Sequence, residues 1–289
     1  NVFFNIIFII LSALCIFPIV FVFSISISSE TSIQKNGYQL IPQELSAAAY
    51  QFLWNERGTI LHATFISILV TALGIILSVL LTTTMGYVVS RNTYKLKSFY
   101  TWVIFIPMIF NGGMLAGYVV NTNILHLRNS IWALILPLAV SPFNIVICKT
   151  FFKTTIPDSI VESAKIDGAG HTKIFLQITF PLGKPILVTM GLFSALAYWN
   201  DWTNGLYYLS GNQGQKLYSI QNLLNQMITD IQYLASGKVA GNIGAEVAKL
   251  PTTSIRMAIA FIAMLPLFII YPFLQKYFAE GITLGAVKG

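Results

Sequence analysis

Apolar residues in this chain recur in long, almost unbroken runs, not in the alternation or the 3.6-residue stripe of an element buried on one side only. A helix crosses the hydrocarbon core of a bilayer with about 20 mostly apolar residues. Six runs reach that length, at about 2–27, 59–89, 99–125, 130–148, 186–208 and 257–276. The second has His62, near its outer end and read as interfacial, as its only His, Lys, Arg, Asp or Glu, and the third has none of these. Pro137 and Pro142 interrupt the fourth run, and Pro266 and Pro272 the sixth. The pattern predicts an all-α polytopic membrane protein with six transmembrane helices in a single transmembrane domain, 1–289.

Composition narrows the class further. Of 289 residues, 55% are apolar and 9% charged, against roughly 25% charged in a soluble domain. The mean hydropathy is +0.72. Too little polar surface remains to cover a soluble globule, and the same figures exclude a disordered, collagen-like or disulfide-built chain. Cys15 and Cys148 both lie inside apolar runs, so no disulfide is expected and the redox compartment stays open. The chain starts at Asn1 with no Met and no basic leader, so a preceding segment is expected, and the run 2–27 is too long for a signal-peptide core.

The net charge of +7 comes from cations in the links between runs. That placement orients a membrane protein and does not build a nucleic-acid face. Arg91, Lys95 and Lys97 follow the second run; Lys149, Lys153, Lys165, Lys173 and Lys184 follow the fourth; Lys276 and Lys288 close the chain. These short links hold ten of the 17 Lys and Arg residues and are expected to be cytoplasmic. Both termini then lie inside, and the long links 28–58 and 209–256 face out. No Gly-Lys-Ser/Thr phosphate loop, HExxH, CxxC or GxSxG motif is present, so no nucleotide hydrolysis, metal site or catalytic residue is expected in this chain.

The inward link 157–181 is punctuated. Ser159 and Glu162 have the spacing of a capping box, with Asp158 as a competing cap. Gly168 suits a left-handed stop. Thr172 is placed to cap a second short helix with Ile174, Phe175 and Ile178 on one face, and Pro181 and Pro185 precede the fifth run. The first helix, about three turns long, is too short and polar to span; Ile160, Val161 and Ala164 form its apolar face. Such a helix lies along the membrane surface and can dock in a groove of a soluble partner.

Taken singly, Glu162 only caps and Gly168 only terminates. As a spaced set, Glu162-Ser163-Ala164, then Asp167-Gly168-Ala169, Phe175, Ile178 and Pro181 resembles the EAA loop of ABC importer permeases. Ser163 and Phe180 depart mildly from that pattern, which usually has Ala and Leu there. Further stretches are similar to MalG-like permeases of carbohydrate importers: Leu40-Ile41-Pro42-Gln43 with Leu45, Ser46 and Tyr50, Asn129 to Pro137, Tyr198-Trp199-Asn200-Asp201-Trp202 and Ile255-Arg256-Met257-Ala258. Asn111-Gly112-Gly113 and the ending Gly285 to Gly289 resemble the subgroup for oligosaccharide and polysaccharide-fragment uptake.

The resemblance implies a type I importer permease in a bacterial cytoplasmic membrane. It implies a second homologous permease forming a heterodimer, two ATPase subunits that bind ATP and Mg, an extracytoplasmic solute-binding protein and a carbohydrate substrate. It gives Glu162, Ser163, Ala164, Asp167, Gly168 and Ala169 to ATPase coupling, with Glu162 pairing with a base on the ATPase and Ala164 and Gly168 as packing positions. It also brings the outer link 209–256 toward the binding protein.

Candidate pathway residues are Tyr198, Asn200, Asp201 and Trp202, with Tyr198, Asp201, Trp202 and Gly205 at the spacing of one helix face. An acid there faces a wet cavity, and rings beside amides and carboxylates suit sugars; an interfacial aromatic belt with a structural Asn200–Asp201 pair is the plainer alternative. Asn111, Gly112 and Gly113, after Pro107, either loosen a helix beside a cavity or allow close packing. A monosaccharide, polyol or sugar phosphate remains as alternative cargo, although a sugar phosphate needs cations that the runs lack. A membrane enzyme or proton-coupled carrier needs more intramembrane ionisable groups than Asp201 and His62.

Overall fold

The computed structural model describes residues 2–235, 251–266, 268 and 269. Regular structure among these is helical, with one isolated antiparallel bridge between Ser28 and Leu45. In chain order the helices are α1 (Val2–Ser26), α2 (Glu30–Asn36), α3 (Ala48–Asn55), α4 (Arg57–Ser90), α5 (Lys97–Ile109) and α6 (Gly113–Val119). They continue with α7 (Trp132–Ile135), α8 (Pro142–Thr155), α9 (Asp158–Ile166), α10 (His171–Ile174), α11 (Phe180–Leu182), α12 (Lys184–Asn200), α13 (Thr203–Tyr208), α14 (Gly211–Gln215) and α15 (Ile220–Ala235). The last described helix is α16 (Thr252–Pro266).

Among the described residues two helices, α1 and α4, are long and apolar enough to span. Two bent pairs add up to two more: Trp132–Leu138 with Pro142–Thr155, bent by 50°, and His171–Leu182 with Lys184–Asn200, bent by 80°. The other expected runs are interrupted or partly undescribed. The third breaks after α5, where Phe110 turns extended and Gly113 takes a φ of 79°; Pro107 and two adjacent glycines weaken the helix there. The fifth ends at Asn200. The sixth begins with α16, but residue 267 and everything from 270 onward lie outside the described residues.

Pro142 shows why the fourth run bends. Ser141, held extended by the following proline, accepts a hydrogen bond from the Asn144 amide through its side chain, and Pro142 occupies the first helical position. A new helix therefore starts inside the apolar run.

The described residues form two compact units, one from 2–64 with the described part of 220–270 and the other from 65–219. In the first, α1 is apolar all round and largely exposed, as a lipid-facing helix would be. Its last turn is tied down: Ser24 donates to the Leu40 carbonyl at 2.6 Å, and Ser26 and Tyr50 share a 2.8 Å hydrogen bond. Glu30 closes the unit by accepting from the Thr253 and Ser254 amides at 3.1 and 3.2 Å, which caps the start of α16.

In the second unit α4 packs closely against its neighbours. A Cβ added at Gly86 would lie 2.5 Å from the Cβ of Cys148, and one at Gly74 would lie 2.4 Å from the Tyr198 ring. Small residues at such crossings let helices approach closely. Ser194 also donates to Ser78 at 2.9 Å in the buried contact between α12 and α4. One core cluster gathers Tyr87, Phe152, Ile156, Val161, Ala164, Ile174 and Met190, and lies directly beneath α9.

Candidate functional site

The sequence from Ile156 to Ala169 builds a short helix with one face buried and the other bare. Pro157 ends α8 and stands at the N-terminal cap of α9. The expected capping box does not form: neither Ser159 nor any other side chain caps the helix. Asp158 enters the first turn, where a carboxylate suits the helix dipole, but its oxygens are engaged by residues of the α4–α5 link. Glu162 is left exposed, with no hydrogen-bond or ion-pair partner among the described residues.

The C-terminus follows the sequence expectation. Gly168 takes a φ of 79°, its amide donates to the Lys165 carbonyl at 3.0 Å, and the Ala169 amide donates to the Ala164 carbonyl at 2.9 Å. This pair is a Schellman stop. The second short helix is capped differently from expectation: Gly170, not Thr172, holds the N-cap position, with no side-chain cap bond. Ile174 is fully buried there, and Phe175 and Ile178 pack against the same core. A π-helical turn over Phe175–Thr179 leads to the bend at Gly183.

Val161 and Ala164 point into the core. Ile160, expected beside them, is 38% exposed and takes no part in that core cluster. Ser159, Glu162, Ser163 and Ile166 follow i, i+3, i+4 and i+7 and make one continuous exposed stripe. Ile166 is 86% exposed. Asp167 and Gly168 are exposed at the end of the stripe, and Ala169 is half-buried.

What holds this helix in place is Arg91, a residue read from sequence only as a topology cation. It is 6% exposed. Its Nη2 donates to the Phe152 carbonyl at 2.6 Å, and its Nη1 to the Ile156 carbonyl at 2.8 Å and to Asp158 Oδ1 at 3.1 Å. Its guanidinium also lies 5.3 Å from the Tyr87 ring centre. Asn92 donates to Asp158 Oδ2 at 3.1 Å, and Lys97 donates to Asn92 at 2.7 Å. The Phe152 carbonyl already accepts from the Ile156 amide at 3.2 Å; the arginine fork adds a charged donor there and supplies the Ile156 carbonyl just beyond α8. Carbonyls at a helix end just before Pro157 were the available sequence signal for a donor from elsewhere. The end of α4, the end of α8 and the start of α9 are thereby joined at one side chain.

The pathway candidates fall into two local sets. Asn111, Gly112 and Gly113 are exposed, and Asn111 Oδ1 accepts from the Gly113 amide at 2.9 Å. Tyr198 is 3% exposed and donates to the Ile135 carbonyl at 2.8 Å. Asn200 is exposed and donates back to the Leu196 carbonyl at 2.9 Å. Asp201 lies outside the helix, in extended conformation, and accepts from the Thr203 and Asn204 amides at 3.1 and 3.3 Å. It caps α13. The single helix face expected through Tyr198, Asp201, Trp202 and Gly205 is therefore interrupted, because that cap starts a new helix. Trp202 is exposed. None of these hydrogen bonds joins the two sets.

Residues 85–284 match the family described as "Binding-protein-dependent transport system inner membrane component". The chain is 35% identical over 278 residues to the polygalacturonan/rhamnogalacturonan transport system permease protein YtcP of Bacillus subtilis, covering 96% of this chain and 93% of the relative. It is 34% identical over 279 residues to protein LplC of the same organism, covering 96% and 90%. It is 30% identical over 254 residues to the melibiose/raffinose/stachyose import permease protein MelC, also of Bacillus subtilis, covering 86% and 84%. Among solved structures, a chain of a bacterial ABC transporter involved in the import of the acidic polysaccharide alginate shares the fold. Its TM-score is 0.79 at 24% identity, over 96% of this chain and 95% of that one.

Proposed function

Because the chain belongs to the family of binding-protein-dependent transport system inner membrane components, we propose that it forms half of the translocation pathway for an oligosaccharide or polysaccharide fragment. It is a multi-pass permease subunit of the cytoplasmic membrane. An ATPase and a binding protein work with it, and ATP is bound by that separate ATPase.

Six spans with both termini in the cytoplasm put α9 on the inner surface. A second, homologous permease completes the pathway. The carbohydrate reading is supported by the relatives named for polygalacturonan/rhamnogalacturonan transport and for melibiose, raffinose and stachyose import.

The observation that carries the coupling mechanism is the bare stripe of α9 above a buried clamp. A free carboxylate at Glu162 beside an 86%-exposed Ile166 suits a pocket with an apolar floor and a cationic rim on the ATPase. Closure of the ATPases moves the pocket; Arg91 and the core beneath Val161 and Ala164 pass that movement to α4 and α8. Asn111–Gly113 and Asn200–Trp202 are the proposed pathway positions; Tyr198 shapes the pathway from within the packed core.

Co-purification of the assembled transporter tests this reading. Glu162→Arg is expected to lose the ATPase and transport together, with the permease still folded. Unchanged association and transport in that variant would remove the coupling role. Screening sugars against the cognate binding protein identifies the cargo; failure of every oligosaccharide there would overturn the substrate class.

A further inference from the structure

Two cavities adjoin where the α4–α5 link meets α9. The larger, about 570 Å³, is lined by Lys95, Lys165 and His171 with Tyr94, Tyr87 and Val161 among others. Among the described residues, no Asp or Glu lines it. Arg91 also borders it, but that charge is already engaged by Asp158 and two carbonyls. Lys95, Lys165 and His171 have no acidic partner among the described residues. The second cavity, about 230 Å³, shares Val88 and Tyr94 with the first and continues past Met85, Val89 and Tyr100. Met85 lies five residues before Ser90, the last residue of α4, which is about 7.5 Å back along the helix axis.

One cavity is thus mostly apolar with cationic side chains at its lining; its neighbour carries no charged side chain and extends toward Met85. A ligand filling both carries an anion at one end and hydrocarbon at the other. We infer that this is a binding site for an anionic phospholipid of the inner leaflet. Its phosphate sits among Lys95, Lys165 and His171, and the start of its acyl chain lies along Met85, Val89 and Tyr100. A soluble phosphate would leave the apolar cavity unfilled, which is why the lipid is favoured.

The consequence is mechanical. Lys165 and Val161 belong to α9, Lys95 and Tyr94 to the link, and Met85 to α4, so one bound lipid bridges the helix that receives the ATPase stroke and the helix that carries it. Anionic lipid content would then tune coupling. The inference rests on the inner-face placement of the link and α9, but not on which residues the ATPase touches.

The test uses the full transporter in nanodiscs of phosphatidylcholine with or without phosphatidylglycerol, with retained lipids counted by native mass spectrometry. A lysine facing an anionic headgroup contributes about fivefold in affinity, so Lys95→Gln combined with Lys165→Gln should weaken phosphatidylglycerol retention about twenty-five-fold. Met85→Trp, which fills the apolar cavity, should weaken it without changing charge. Glycerol phosphate should not displace the lipid. Equal retention by wild type and the double variant overturns the site, and displacement by glycerol phosphate overturns the lipid assignment in favour of a soluble anion. Glu162→Arg, on the bare face of α9, should retain lipid normally; if the lipid site fails while that variant still releases the ATPase, the docking role stands.

Discussion

Replacing Arg91 with alanine separates two accounts of how the coupling helix is held. In one, the Arg91–Asp158 ion pair dominates; in the other, the carbonyl clamp does. Asp158 is 40% exposed at its side chain while Arg91 is 8% exposed, so the pair is half open to water and is worth roughly 0.2–1 kcal/mol. The bonds to Phe152 and Ile156 are buried and come from a charged donor, each worth about 1.5–3 kcal/mol. Arg91→Ala should therefore cost about 4 kcal/mol, and Asp158→Asn less than about 1 kcal/mol. In a chain of this size the first is a fall of roughly 10 °C in Tm. Arg91→Lys should resemble alanine more than arginine, since a compact ammonium cannot reproduce the fork across two carbonyls. Thermal unfolding of the purified transporter reads all three variants, and the ratio of transport to ATP hydrolysed reads coupling. Equal losses for Arg91→Ala and Asp158→Asn would refute the carbonyl clamp.

Two further outcomes are expected elsewhere in the chain. Glu30→Ala removes the cap at the start of α16 and should cost about 1–2 kcal/mol from the lost cap and dipole interaction, measured by chemical denaturation in detergent; an unchanged midpoint would show that water caps the helix equally well. Gly168→Ala meets open space but must adopt a φ of 79°, so it should cost about 1–2 kcal/mol and speed hydrogen exchange of the Gly168 and Ala169 amides, with wild-type exchange rates refuting the Schellman stop.

Local sequence rules succeeded where local physics decides. The long apolar runs of α1 and α4, the left-handed glycine at 168 and the inward Val161 and Ala164 are all set by hydropathy or by backbone sterics. The rules failed where a distant group intervenes. Ser159 and Glu162 have capping-box spacing, yet the helix start is organised by Arg91 and Asn92, 67 and 66 residues before Asp158 in the chain. Nothing local reveals that partner. Asp201 failed differently: its spacing fits a continuous helix face, but a short acid two residues before Thr203 serves equally as a cap, and the cap prevails. Tyr198 has the chemistry of a sugar platform, while its burial and its bond to the Ile135 carbonyl depend on a glycine at 74 that periodicity alone does not pair with it.

Ile166 offers the most direct measurement of the central claim, that the bare face of α9 is where the ATPase grips. Cys148 is buried and Cys15 is exposed, so Ile166→Cys in a Cys15→Ser background presents one reactive thiol. Labelling with a membrane-impermeant maleimide from the cytoplasmic side should be fast on permease without ATPase and strongly slowed once the ATPase subunits are assembled. The same rate in both preparations would contradict the account.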